Sequence, residues 1–318
     1  MTVTRAEPPP RDGGQEAASL PGEPPQVHVV WLAWPEFERW LSGKLRTTRA
    51  PWGQLVGLPP AWKPGEHWAL VGPTGEGKST FAVRILKGRK WVLALDPKGE
   101  DDTLAASGWT RVTSLPPDRK TLRRIDEGQP VRLIVGGAAR TDEQDVALKR
   151  LMAEGVKYVR HAGGWTLYVD EFELLSSMRM FDLGALIDAA LITARRDKAS
   201  VVTSFQALAW VSKHATRQAT FCTLWPTRDR DMIKAVAQAM GRRWQDIAAA
   251  IDLLPPFHVL VIPKQTRAPM IITTAPRVTA RKPELDGQER GGPRGGRGGP
   301  GRGPARRSPL PRLGARRR

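Results

Sequence analysis

The chain has 318 residues and carries 50 Lys or Arg against 32 Asp or Glu, a formal net charge of +18 at neutral pH. One cysteine, Cys222, precludes an internal disulfide, and five histidines far apart in the sequence lack the spacing of zinc ligands. No stretch reaches the roughly 18 uninterrupted apolar residues of a membrane-spanning helix, and no apolar signal-peptide core opens the chain, so a cytoplasmic location is expected.

In chain order, residues 1–26 are rich in Pro, Gly and Glu, have few apolar side chains, and read as a disordered leader. Residues 27–62 follow with an apolar run at Val27–Leu32 and the tryptophans Trp31, Trp34, Trp40, Trp52 and Trp62 among prolines. A small strand and helix packing on the core is expected there, with base stacking by the tryptophans as the lesser reading. From Glu66, short apolar strands alternate with helical patterns: Trp68–Val71, Trp91–Leu95, Val131–Val135, Thr166–Val169, Ser200–Phe205 and Thr220–Leu224. Helices are expected near 79–87, 142–160, 182–196, 229–241 and 244–252. Phe257–Ile262 and Met270–Ile272 read as a closing pair of strands at a sheet edge. This alternation predicts an α/β domain over 63–275 with a mostly parallel sheet flanked by helices. Residues 276–318 form an Arg/Gly-rich segment with repeated Arg-Gly-Gly. From Arg277 on it holds thirteen basic against three acidic residues, a net +10. It reads as a disordered tail able to neutralise nucleic-acid phosphates without sequence preference.

Two motifs carry the chemistry. Gly72-Pro73-Thr74-Gly75-Glu76-Gly77-Lys78-Ser79-Thr80 is a complete Walker A sequence between a buried strand and a helical pattern. Its glycines let backbone N–H groups curl around phosphate oxygens, Lys78 reaches the β- and γ-phosphates, and the Ser79 hydroxyl ligates Mg²⁺. The helix that follows adds its positive end. About 90 residues later, leaving room for the intervening strands of a RecA-like P-loop NTPase sheet, Thr166-Leu167-Tyr168-Val169-Asp170-Glu171 is an apolar strand ending in two carboxylates, the Walker B pattern. Asp170 would hold the Mg²⁺ shell and Glu171 would polarise the attacking water. A kinase excludes water and closes an Arg-rich lid over its phosphates, whereas a placed glutamate suits hydrolysis, so an ATPase is favoured over a small-molecule kinase.

Four places together resemble the HerA/FtsK superfamily of DNA-pumping ATPases, in particular the soluble cores of conjugative coupling proteins and related phage or plasmid ATPases. Besides Walker A and Asp170-Glu171, they are Leu95-Asp96-Pro97-Lys98-Gly99 and Ala194-Arg195-Arg196 followed by Ser200-Val201-Val202-Thr203-Ser204-Phe205-Gln206. The resemblance spans about 63–275. It implies that Gln206 senses the γ-phosphate and that Arg195 or Arg196 reaches the site of a neighbouring subunit, without choosing between the two. It also implies a homo-oligomeric ring, typically a hexamer, with ATP and Mg²⁺ as cofactors and DNA as partner. Two departures stand out. The family's membrane anchors and large helical insertion are not seen, so a separate anchor or packaging protein would recruit the motor, and Phe205 lengthens the usual Thr-Ser-Gln ending by one residue. Residues 136–145 and 207–219 are candidate pore loops by position. Expected functions are thus a DNA translocase in plasmid transfer or phage replication or packaging, or a nucleotide-switched DNA-binding assembly protein that translocates nothing.

Overall fold

The computed structural model describes residues 28–49, 53–99, 102–137, 141–177, 180–206, 213–264 and 268–274. The expected leader, the Arg/Gly-rich tail and Trp52 lie outside these residues, as do 138–140 and 207–212 of the two candidate pore loops. In chain order the elements begin with β1 (Val29–Leu32), α1 (Trp34–Leu41), β2 (Thr47–Arg49), β3 (Leu55–Gly57), β4 (His67–Val71), α2 (Lys78–Leu86) and β5 (Trp91–Asp96). Next come α3 (Asp102–Ala106), β6 (Thr110–Arg111), α4 (Arg119–Asp126), β7 (Val131–Gly136), α5 (Asp142–Ala162), β8 (Thr166–Val169) and α6 (Phe172–Ser176). The chain continues through α7 (Gly184–Thr193), β9 (Ser200–Phe205), α8 (Lys213–Arg217), β10 (Ala219–Leu224), α9 (Arg230–Met240), α10 (Trp244–Asp252), β11 (His258–Pro263) and β12 (Met270–Thr274).

Ten strands form one sheet in the order β1-β12-β11-β10-β4-β9-β8-β5-β7-β6, and only β11 runs against the others. The fold is therefore α/β with a mostly parallel sheet, as the alternating pattern predicted. Strands covered on both faces read as continuous apolar runs, and every residue of β4, β8 and β9 is buried. Successive side chains then serve two cores. Ala69, Leu93, Leu167 and Val201 join the helices α5 to α10 on one face, while Trp68, Leu70, Val92, Tyr168 and Val202 join α1, α2 and α3 on the other. The second core is aromatic: Trp68 stacks on Phe221 with ring centroids 4.8 Å apart, and Trp40 and Trp62 meet Trp68 edge to face. The Trp68 indole N–H donates to Thr223 Oγ1 at 2.8 Å, so the ring is buried with its polar handle satisfied.

Three local expectations are corrected. The closing strands β11 and β12 are not the sheet edge, because β1 pairs in parallel with β12 from Val29 opposite Met270 to Leu32 opposite Thr273. Val29, Val30 and Leu32 of β1 are buried, and the strand covers the edge that β12 would otherwise present. The expected helix at 182–196 ends at Thr193, where residues 194–198 turn to carry the chain down to the start of β9. Trp40 and Trp62 are core residues, which removes them from base stacking.

Candidate functional site

The C-terminal ends of parallel strands converge at one end of the sheet, where ligands of open α/β sheets bind. The loop between β4 and α2 rises there. Gly77, with φ +88°, caps α2 in a conformation that only glycine adopts without strain. At Gly72 the need is for space: a Cβ would lie 2.6 Å from Cβ of Trp225. Trp225 follows β10 directly, is buried, and its indole N–H donates to the Glu76 carbonyl at 2.7 Å. Its own N–H donates to Val71 O at 3.0 Å. A tryptophan that sequence reading left unassigned thus clamps both shoulders of the phosphate loop. Nothing in the sequence near Trp225 signals this, since the loop lies about 150 residues away and the contact is tertiary.

Lys78 opens α2 and its ammonium donates to the carbonyls of Gly72 at 2.8 Å and Pro73 at 2.7 Å. Burial pulls its pKa below the usual lysine range, opposed first by Asp170 and then by Glu173, Glu171 and Glu76. Lys78 shares a cavity of about 280 Å³ with Thr74, Gly75, Gly77, Ser79, Thr80, Asp170, Glu171, Ser204 and Gln206. Thr103 of α3 also lines it, a residue the sequence motifs did not single out.

Strand order explains the convergence. β9 lies between β4 and β8, so the ends of the Walker A strand, the Gln206 strand and the Walker B strand stand side by side. Asp170 is buried, and its Oδ1 accepts from the Tyr168 hydroxyl at 2.9 Å and from Glu171 N at 3.2 Å. Glu171 has φ +47°, a left-handed conformation rare outside glycine, and begins α6. Its carboxylate pairs with the Lys98 ammonium, and hydrogen bonding to Glu171 raises the Lys98 pKa. Glu173 accepts a hydrogen bond from Gln206 N. Phe205, the extra residue before Gln206, is buried, and its carbonyl accepts from Gly72 N at 3.2 Å. The added residue is absorbed by the sheet interior and Gln206 still lines the cavity.

Arg195 and Arg196 are not brought to this cavity. They are exposed in the turn after α7, at the opposite ends of β9 and β4, where a Cβ on Gly65 would lie 3.1 Å from Arg195 O. Among the described residues no group of three His, Cys, Asp or Glu is placed to hold a metal ion. The hydroxyl of Ser79 and the carboxylate of Asp170 are hard oxygen donors lining the same cavity, which fits Mg²⁺ shared with phosphate oxygens.

No family model matches the chain, and no curated protein matches it. Among solved structures it is similar to the genome packaging NTPase B204 of Sulfolobus turreted icosahedral virus 2, with 18% identity, TM-score 0.46, and coverage of 67% of this chain and 98% of that one. It is also similar to VirB4 of Thermoanaerobacter pseudethanolicus, with 11% identity, TM-score 0.49, and coverage of 73% and 96%. A third is the cytoplasmic domain of the type VII secretion ATPase EccC of Thermomonospora curvata, with 15% identity, TM-score 0.44, and coverage of 74% of this chain and 29% of that one.

Proposed function

We propose that the protein binds ATP with Mg²⁺ and hydrolyses it as a ring-forming motor on DNA, in packaging or transfer. The observation that carries the ATPase reading is the convergence of Lys78, Ser79, Asp170, Glu171 and Gln206 on one cavity from three adjacent strand ends. The loop N–H groups and Lys78 would bind the phosphates, and the start of α2 would add its dipole. Bound Mg²⁺, held by Ser79 and through the Asp170 shell, would neutralise charge on the phosphate oxygens. Glu171 would take a proton from the attacking water, while Gln206, held at its backbone by Glu173, would contact the γ-phosphate end of the cavity. DNA as the track rests on the motif resemblance and on the basic residues beyond Arg277.

The test is steady-state ATP hydrolysis with and without single- and double-stranded DNA, on the full chain and on a chain ending at Ala275, at two salt concentrations. DNA stimulation that survives tail removal supports a translocase. Slow turnover indifferent to DNA favours the nucleotide-switched assembly protein instead. Lys78→Ala is expected to abolish turnover and weaken ATP binding, and normal turnover would remove the phosphate-loop assignment. Glu171→Gln is expected to keep ATP binding, read by nucleotide fluorescence, while losing at least about 100-fold in turnover, the scale of a positioned general base.

A further inference from the structure

Another cleft, between α9 and α10, serves none of the roles above. β10 runs parallel to β4 with Leu224 opposite Val71, so the chain leaves β10 at the sheet end that carries the phosphate loop. Asp229 then caps α9: its Oδ1 accepts from Asp231 N and Met232 N, both at 3.0 Å, and its own N donates to Thr227 Oγ1 at 3.1 Å. α9 ends at Gly241, whose φ of +66° lets the chain turn back so that α10 packs on α9. Ile247, Ala250 and Ile251 of α10 enter the core, while Trp244, Ala248 and Asp252, spaced by four, form the stripe beside them.

The cleft has a volume of about 410 Å³, with Ile233, Ala248 and Ile251 as its apolar lining. Trp244 also lines it; the residue is 36% exposed, and the Lys234 ammonium stands 5.9 Å from its ring centroid. Arg228 and Arg230 complete the lining together with the Asp252 carboxylate, and all three are exposed. Among the described residues neither guanidinium is paired with a carboxylate, whereas Lys234 has Asp231 at 3.9 Å. A flat apolar ring open to water, two uncompensated cations and one acceptor are complementary to a ligand with an aromatic plane, N–H groups and phosphates. Nucleotides have that composition. Two arginines suit the two phosphates that flank each base of a strand, and a base face is open to Trp244 only where the strand is single, because a duplex stacks its own bases.

We propose that the cleft between α9 and α10 is a subsite for single-stranded DNA, in which one base stacks on Trp244 and its flanking phosphates lie on Arg228 and Arg230. The proposal rests on DNA being the track. Asp252 accepts from N–H groups on the edge of the stacked base. Binding there tolerates any sequence, since every base has a π face, and weakens with salt, since each phosphate neutralised releases counterions. The subsite belongs to the folded domain and does not depend on the basic residues beyond Arg277.

Fluorescence anisotropy of the full chain with a labelled single strand, its duplex and an abasic strand of equal length tests this, each variant being read as its difference from the parent chain. Trp244→Ala is expected to weaken single-strand binding roughly ten-fold, with duplex and abasic strand bound as by the parent, and Trp244→Phe to keep most of the affinity. Arg228→Gln with Arg230→Gln is expected to make the fall of log K with log salt shallower by about 1.4 on the single strand, at roughly 0.7 for each phosphate. Parental single-strand affinity in folded Trp244→Ala, or an unchanged salt slope in the arginine double variant, overturns the subsite while DNA binding by the parent stands. Variants that raise KM for ATP and leave DNA binding alone assign the cleft to the base and ribose of ATP, which also overturns it. A parent chain that binds no DNA removes the track itself, an outcome distinct from any result at Trp244.

Discussion

At the residue scale the phosphate loop depends on a clamp outside its own motif. Trp225 contributes an N–H to Glu76 O and a Cβ that leaves room for nothing larger than glycine at position 72. Trp225→Phe keeps most of the apolar ring, including part of the edge contact with Phe81 at 5.6 Å, but deletes the donor. One hydrogen bond is worth about 1 kcal/mol, more when its partner is left buried and unpaired. The expected result is a several-fold weaker ATP affinity by calorimetry with the fold intact by circular dichroism. Equal affinity would show that the loop keeps its shape unaided. Cys222, by contrast, is chemically silent: complete burial in apolar surroundings pushes its pKa to about 12.

Elements are joined at the end of the sheet opposite the phosphate cavity by His67. It starts β4, is buried, and its Nδ1 accepts from Val201 N of β9 at 3.0 Å, which fixes the neutral Nε2–H tautomer. Burial first, then the charge of Arg195, lowers its pKa from 6.5 to about 4. A base whose folded pKa is depressed stabilises the fold above its unfolded pKa and loses that contribution as pH falls towards the folded one. His67 is therefore expected to cost the fold about 3 kcal/mol between roughly pH 6.5 and 4. Urea titrations of the parent chain and of His67→Gln at several pH values check this: their stability difference should shrink over that window. A pH-independent difference would mean that His67 does not become protonated on unfolding. Legibility at this scale followed burial. β4, β5, β7, β8, β9 and β10 were readable because strands covered on both faces are apolar along their length, and the start of α2 because Gly77-Lys78-Ser79 announces it. The short α3, β6 and α6 escaped notice since two to five residues set no period, and β1 was separated from β12 by more than 200 residues.

For the whole molecule, the distance of Arg195 and Arg196 from the cavity of their own chain has one functional consequence. If either serves hydrolysis it does so in a second copy, because the length of β4 and β9 separates them from Lys78. A chain carrying Arg195→Ala with Arg196→Ala and a chain carrying Glu171→Gln would each be inactive alone. Mixed, they are expected to regain part of the turnover, since one supplies the base and the other the arginine at a shared interface. Mixtures that stay inactive, or an active double arginine variant, would dismiss the role in trans.

The sequence by itself determined the Walker A motif, the α/β class and the acidic strand end, because these depend on residues close together in the chain and on burial that leaves an apolar record. Only the tertiary structure decided which residues meet. It placed β9 between β4 and β8 and so brought Gln206 to the cavity, sent Trp225 against Gly72, aimed Lys98 at Glu171 and left the arginine pair at the far end of the sheet. The reason is physical: strand order and the reach of one side chain across a sheet are set by packing between segments distant in sequence, and no local pattern encodes that packing.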